Sequence, residues 1–136
     1  MTFTETVMKP ADLTKVWSAP DNSRLTPKQQ SFRLPVHVAA KLDALCLMFP
    51  NKTKTEIVGD LLATAIDEVE RNLPATRGRQ IGEHPDYGAE YAMVGPRVEF
   101  QHLANKRYKE IERELGTKNP GDLYRAQLVD LENPPE

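Results

Sequence analysis

The fold is decided by residues 28–74, which read KQQSFRLPVHVAAKLDALCLMFPNKTKTEIVGDLLATAIDEVERNLP. The stretch opens with alternating polar and apolar side chains, which is typical of a short strand with one buried face. Pro35 ends the alternation, because proline has no N–H to donate to a neighbouring strand. The two faces of this predicted strand carry apolar Phe32 and Leu34 and polar Gln29, Ser31 and Arg33.

Two helices are predicted to follow the strand. Apolar residues recur at helical spacing from Val38 to Phe49, and Pro50 breaks the pattern. Thr53 and Glu56 then match a capping box, in which each side chain accepts a hydrogen bond from the backbone N–H of the other residue. The second helix ends at Pro74 and carries a broad apolar stripe. The stripe consists of Ile57, Val58, Leu61, Leu62, Ala65, Ile66, Val69 and Leu73.

These elements do not complete a core within one chain. A single strand has no partner for its backbone N–H and C=O groups, and two helices cannot cover the whole stripe. Two copies repair both defects, since their strands pair antiparallel and their four helices enclose a shared core. The sequence therefore predicts a homodimer. Its expected core residues are Phe32, Leu34, Leu42, Leu45, Ile57, Leu61, Leu62 and Ile66.

Three short stretches carry a resemblance to a known family: Ser31-Phe32-Arg33-Leu34-Pro35, Leu42-Asp43-Ala44-Leu45 and Thr53-Lys54-Thr55-Glu56-Ile57-Val58. Through them residues 28–74 resemble the ribbon-helix-helix (Arc/MetJ-type) DNA-binding proteins, although the turn here is Phe49-Pro50-Asn51 where the family usually has glycine. The resemblance implies a mainly α, ribbon-helix-helix homodimer. Its parts are an intermolecular two-stranded antiparallel ribbon and four helices, with a C-terminal helical extension.

The resemblance also implies how DNA is read. The ribbon enters the major groove of double-stranded DNA, where arginine can bind guanine and glutamine can bind adenine through two hydrogen bonds each. Lys28 lies at the ribbon edge, and the free amides at the start of the second helix can hold a phosphate. The alternative without a DNA-binding role is that Arg33, Lys52 and Lys54 are ordinary solvated residues. The expected base-reading residues are Gln29, Ser31 and Arg33, and the expected phosphate-binding residues are Lys28, Lys52, Thr53, Lys54 and Thr55.

The rest of the chain is predicted to be appended to this domain. Residues 1–27 form an N-terminal arm with a short helix from Asp12 to Trp17, and residues 75–96 form a linker rich in glycine and proline. Residues 97–136 form a C-terminal helical extension, with one helix over Arg97–Leu115 and a short one within 123–131. The apolar stripe of this extension packs on the dimer body, on its symmetry mate, or on a protein partner through residues 97–131.

Composition excludes several classes of protein. The 18 Lys and Arg balance 20 Asp and Glu, for a net charge of -2, so a DNA-binding surface must be local. The single cysteine, Cys46, excludes an internal disulfide and fits a packed thiol in a reducing cytoplasm. No apolar run is long enough to cross a membrane, and no secretory signal is visible, so we expect a cytoplasmic protein. His37, His84 and His102 lack ligand spacing, and we expect no enzyme, no catalytic or metal site and no cofactor.

These observations favour a sequence-specific DNA-binding transcriptional regulator that acts as a repressor by occupying a promoter. The main alternative is an antitoxin of a toxin-antitoxin pair, whose C-terminal region wraps the toxin after the Gly/Pro-rich linker. A third possibility is an accessory protein that positions a complex in plasmid or phage DNA maintenance.

Overall fold

The computed structural model describes residues 24–135, so the predicted helix from Asp12 to Trp17 lies outside the described residues. The described chain contains three helices and three strands, and it divides into two compact units, residues 24–69 and residues 70–135. In chain order the elements are α1 (Val36–Met48), α2 (Lys54–Asn72), β1 (Thr76–His84), β2 (Gly88–Val94), α3 (Pro96–Glu114) and β3 (Val129–Leu131).

In the first unit, α1 begins directly after Pro35, whose carbonyl accepts hydrogen bonds from the N–H groups of Val38 (3.1 Å) and Ala39 (3.0 Å). Proline suits this place, because its fixed backbone angle favours the extended conformation that precedes a helix. The core of the unit is small. Leu42 and Ile57 are buried at its centre, and five apolar side chains pack around them while remaining half-buried. These are Leu45, Cys46, Phe49, Val58 and Leu61.

The predicted capping box at the start of α2 is confirmed. The Glu56 N–H donates to Thr53 Oγ1 at 3.1 Å, and the Thr53 N–H donates to Glu56 Oε1 at 3.1 Å. Each bond satisfies a backbone N–H that has no intrahelical acceptor. The box therefore fixes the first turn of α2, and the helix ends at Asn72, shortly before Pro74.

The second unit contains a three-stranded antiparallel sheet in the order β1-β2-β3. Strands β1 and β2 form a hairpin whose register runs from His84↔Gly88 to Thr76↔Val94, with two register shifts along β1. Helix α3 follows the hairpin and packs against β2. Strand β3 then returns to pair with β2, with Tyr91 opposite Asp130. The helix can begin abruptly, because Gly95 before it takes φ 116°, which favours glycine.

The predicted fold class, a mainly α ribbon-helix-helix homodimer with four helices and a helical extension, is wrong. The described residues form three helices and a three-stranded antiparallel sheet. Residues 75–96, predicted to be a linker, supply the hairpin, because the turn at Pro85–Tyr87 brings two strands into register. The short helix predicted within 123–131 is not formed, and that segment ends in β3 instead.

Residues 28–34, predicted to be a strand, are not in a strand or a helix. The physical reason is that a strand forms only beside a neighbouring strand that pairs with its backbone N–H and C=O groups. No such neighbour lies beside this segment within residues 24–135. In that same range, none of the helices is both long enough and apolar enough to cross a membrane.

Candidate nucleic-acid interface

The segment before α1 is fully accessible. Residues 24–38 are all exposed, and they include the three predicted base-reading side chains, Gln29, Ser31 and Arg33. Thr26 Oγ1 donates to the Lys28 carbonyl at 2.8 Å, which shapes the chain where the segment begins. The polar groups that the sequence singled out are thus presented to solvent close together along the chain, with Lys28 beside them.

The apolar residues of the same segment are exposed too. Phe32 is 72% exposed and Leu34 is 46% exposed. Of the other residues predicted to form the dimer core, Leu42 and Ile57 are buried and Leu45 and Leu61 are half-buried, whereas Leu62 and Ile66 are 49% and 47% exposed. Within one chain, half of the predicted core therefore remains in contact with water.

The start of α2 retains donors that an anion can use. The capping box occupies the amides of Thr53 and Glu56. The amides of Lys54 and Thr55 belong to the first turn and have no intrahelical acceptor. Together with the positive end of the helix dipole, they can bind one phosphate oxygen each.

The two lysines at this helix start differ in their surroundings. The Lys52 side chain is only 3% exposed and its Nζ lies 3.5 Å from Glu56 Oε2. The Lys54 side chain is 62% exposed, and its Nζ lies 3.1 Å from Asp43 Oδ1 of α1. Exposed pairs of this kind contribute little and exchange readily with solvent ions. Lys54 can therefore turn to a phosphate, whereas Lys52 is held by burial.

Glu56 is the centre of the polar contacts at this helix start. Its pKa is lowered below the ordinary value of 4.5, chiefly because the Thr53 N–H and then the Thr53 hydroxyl stabilise the carboxylate, with a further contribution from Lys52. The group is therefore ionised at neutral pH. The negative charge of Glu56 offsets the positive charge of Lys52, and Asp43 likewise offsets Lys54. The backbone amides, rather than the lysines, therefore give this site its attraction for anions.

In the second unit, the structure reveals a buried polar cluster that the sequence pattern did not indicate. Glu70, at the end of α2, is 5% exposed, and its carboxylate accepts hydrogen bonds from Gln101 Nε2 at 3.3 Å and from the Tyr124 hydroxyl. Arg97 donates from Nε to the Glu70 carbonyl at 3.0 Å and from Nη2 to the Arg71 carbonyl at 2.7 Å. These bonds connect the end of α2 with α3 and with the segment that follows it.

The sheet surface carries a second local arrangement. Arg77 of β1 lies over the Tyr91 ring, 4.1 Å from its centroid, and its Nε lies 2.9 Å from Asp130 Oδ2 of β3. The side chain thus connects all three strands. A phosphate contact for Arg77 would have to displace both partners, so we assign it a structural role.

His84 forms local contacts at the hairpin turn. His84 Nδ1 accepts from the Asp86 N–H at 3.1 Å, and its ring stacks on Tyr87 with centroids 4.6 Å apart. Both contacts stabilise the hairpin turn. Across residues 24–135, no three His, Cys, Asp or Glu side chains are grouped so that they could hold a metal ion.

A groove of about 690 Å³ lies between α3 and residues 121–128. Along α3 it is lined by Lys106, Lys109 and Arg113, at the spacing that places side chains on one face of a helix. The sequence shows these residues mixed with glutamates, which is typical of a solvated face. That interpretation fits Arg107, which pairs with Glu110, but it missed the concave surface that residues 121–128 add.

Comparison with known proteins adds no relative to this description. The chain matches none of the protein-family models, none of the curated proteins and none of the solved structures with which it was compared.

Proposed function

We propose that this protein is a sequence-specific DNA-binding regulator that represses transcription by occupying its operator. The observation that carries the proposal is the exposed segment 28–34, which presents Gln29, Ser31 and Arg33 next to Lys28 and pairs with no strand among residues 24–135. Arg33 and Gln29 can each form two hydrogen bonds to one base edge in the major groove, and the Ser31 hydroxyl can form a single one. The helix start at Thr53–Thr55 supplies a sequence-independent phosphate contact.

Exposed apolar side chains in the first unit support self-association as a part of this proposal. In the unit of residues 24–69, only Leu42 and Ile57 are buried apolar side chains, while Phe32, Leu62 and Ile66 are each about half exposed or more. Exposed apolar surface of this extent marks an interaction site. A second copy is the simplest partner for this surface, because it brings the same exposed apolar side chains. In this proposal each copy contributes its own exposed 28–34 segment to the DNA contact.

The phosphate contacts divide between groups of different strength. The amides of Lys54 and Thr55 are fixed by the helix and lose no side-chain entropy on binding. Lys28 and Lys54 are exposed and can reach a phosphate, whereas Lys52 stays with Glu56. Each lysine that contacts a phosphate makes the logarithm of the binding constant fall more steeply with the logarithm of salt concentration, by about 0.9 in slope.

The antitoxin alternative is not favoured by the second unit. It required a C-terminal region that becomes ordered on a toxin, because the linker suggested few contacts of its own. Residues 76–131 instead form a sheet with a helix packed against β2, and Gln101 and Tyr124 among them hydrogen-bond to the buried Glu70 carboxylate. These hydrogen bonds and strand pairings within the region are the observations that weigh against the alternative.

The test is selection of fragmented genomic DNA on the purified protein at about 150 mM salt, where non-specific binding is weakened. A variant with Gln29, Ser31 and Arg33 all replaced by alanine is compared with an Arg79→Ala/Lys118→Ala control, which removes exposed cations elsewhere. We expect the wild type and the control to enrich the same short repeat and the triple variant to lose it. Equal recovery by all three proteins would refute base reading by this segment.

A further inference from the structure

The groove beside α3 has the size and composition of a binding site. Its volume, about 690 Å³, lies within the range of roughly 300–1,000 Å³ that is usual for ligand sites. Val98, Ala126 and Leu128 contribute apolar surface to it, and all its lining residues belong to the unit of residues 70–135. The groove is formed by one helix, α3, and one irregular segment, residues 121–128.

The charges along the groove are unbalanced. Lys109 is paired with Asp122, with Nζ 2.8 Å from Oδ1. Lys106, Arg113 and Arg125 have no carboxylate partner among residues 24–135, and the groove's other acid, Glu110, is paired with Arg107. Three uncompensated cations around a concave, partly apolar surface attract an anionic ligand.

The spacing of the cations indicates what shape that ligand has. From Lys106 to Arg113 is a rise of roughly 10 Å along the helix axis. In an extended peptide, side chains on the same side recur about every 6.6–6.8 Å. An extended chain of about four residues therefore covers the length of this row, and its acidic side chains can meet the cations because lysine and arginine side chains are long and flexible.

The opposite wall offers backbone groups to such a chain. Residues 125–127 lie between the Tyr124–Asn105 hydrogen bonds and β3, and their own N–H and C=O groups form no hydrogen bond among the described residues. An extended peptide can satisfy both kinds of group by pairing with them. DNA fits less well, because its sugar-phosphate backbone has no N–H donors for the C=O groups of this wall.

We propose that the groove between α3 and residues 121–128 binds an extended acidic peptide segment of another protein. The carboxylates of the peptide, at alternate positions, face Lys106, Arg113 and Arg125, while its backbone pairs with residues 125–127. Apolar side chains between the acids pack on Val98 and Leu128. The proposal does not depend on DNA binding, since every residue that it uses lies outside residues 24–69.

The test uses fluorescein-labelled heptapeptides and measures fluorescence anisotropy at low salt and at about 150 mM salt. The probe is Glu-Val-Glu-Val-Glu-Val-Glu, and the control peptide has glutamine in place of every glutamate. The protein variants are Lys106→Gln/Arg113→Gln and a control of equal charge change, Arg79→Gln/Lys118→Gln, whose residues are exposed outside the groove. Circular dichroism of both variants establishes that they are folded.

We expect the wild type and the control variant to bind the acidic peptide with a dissociation constant of about 0.1 mM or somewhat weaker, a range usual for short peptides without optimised contacts. The groove variant should bind at least roughly tenfold more weakly, the difference expected from two lost charge contacts. Equal weakening in both variants would overturn the proposal, because it would mean that only net charge matters. Absence of binding by the wild type, or tighter binding of oligothymidylate than of the peptide, would overturn it as well.

Discussion

Replacing Tyr124 by phenylalanine should destabilise the unit of residues 70–135 measurably. The Tyr124 hydroxyl donates to Glu70 Oε1, and Glu70 is 5% exposed, so water cannot easily replace the lost donor. The aromatic ring is retained, including its edge-on contact with Phe100 at 6.4 Å between centroids. The change therefore removes one hydrogen bond and leaves a buried carboxylate oxygen without it.

Leaving a buried acceptor unsatisfied costs about 1–3 kcal/mol, and more when the acceptor is charged. We expect a loss of about 2 kcal/mol, because Gln101 Nε2 still donates to the other carboxylate oxygen at 3.3 Å. For a cooperative unit of this size, that loss lowers the melting temperature by roughly 8–16 °C. Thermal unfolding followed by far-UV circular dichroism measures the shift.

The matched control is Tyr108→Phe on α3. Tyr108 is half-buried, as Tyr124 is, but its hydroxyl forms no hydrogen bond among the described residues. Its melting temperature should stay within about 2 °C of the wild type, as for most changes that remove no specific contact. Combining Tyr124→Phe with Glu70→Gln should restore about 1 kcal/mol relative to additivity, because a neutral amide tolerates the missing donor better than a carboxylate. Equal shifts for the two phenylalanine variants would refute this reasoning.

Three further predictions concern the helix starts and the small core. Ile57→Ala should lower the free energy of unfolding by about 2–5 kcal/mol, since Ile57 is fully buried. The control is Ala63→Gly, an exposed position in the same helix, which should lower it by only about 1 kcal/mol; urea unfolding measures both. Gly95→Ala should destabilise the protein by about 1–2 kcal/mol, because φ at this position is 116° and the new Cβ would lie 3.2 Å from the Pro74 carbonyl oxygen. Gly82→Ala is the control, since its Cβ would meet no atom within 4 Å, and thermal unfolding compares the two variants. Because the pKa of Glu56 is lowered in the folded protein, its carboxylate stabilises the fold at pH values above the unfolded-state pKa near 4.5. This stabilisation is lost as the pH falls through the folded-state pKa. The unfolding free energies of wild type and Glu56→Gln should therefore converge in acid and separate toward neutral pH.

The helices could be predicted from the sequence because their signals are local. Thr53 and Glu56 lie three residues apart and mark the start of α2 by their own hydrogen bonds. Pro96 occupies the first turn of α3, as its fixed backbone angle favours. Each of these signals involves neighbours in the chain, so no knowledge of the remaining fold was needed.

The sheet could not be predicted in the same way, because its strands are defined by residues distant in sequence. Strand β1 contains two glycines and two register shifts, which hide the alternation that identifies a strand. The available signal was the turn at Pro85–Tyr87 followed by Gly88 at φ 79°, a combination typical of a tight hairpin. The groove was missed for a related reason, since one of its walls has no regular secondary structure.

The position of β3 has a consequence for how the second unit folds. Strands β1 and β2 are adjacent in the chain and close a short loop, whereas β3 reaches β2 only after the whole of α3. Closing the longer loop costs more chain entropy and is rewarded late, so we expect the hairpin and α3 to form before β3 docks. Because β3 has only three residues, it is also the strand expected to detach first when the native protein fluctuates. Slow opening of the sheet should therefore begin at Val129–Leu131 and proceed inward to β2.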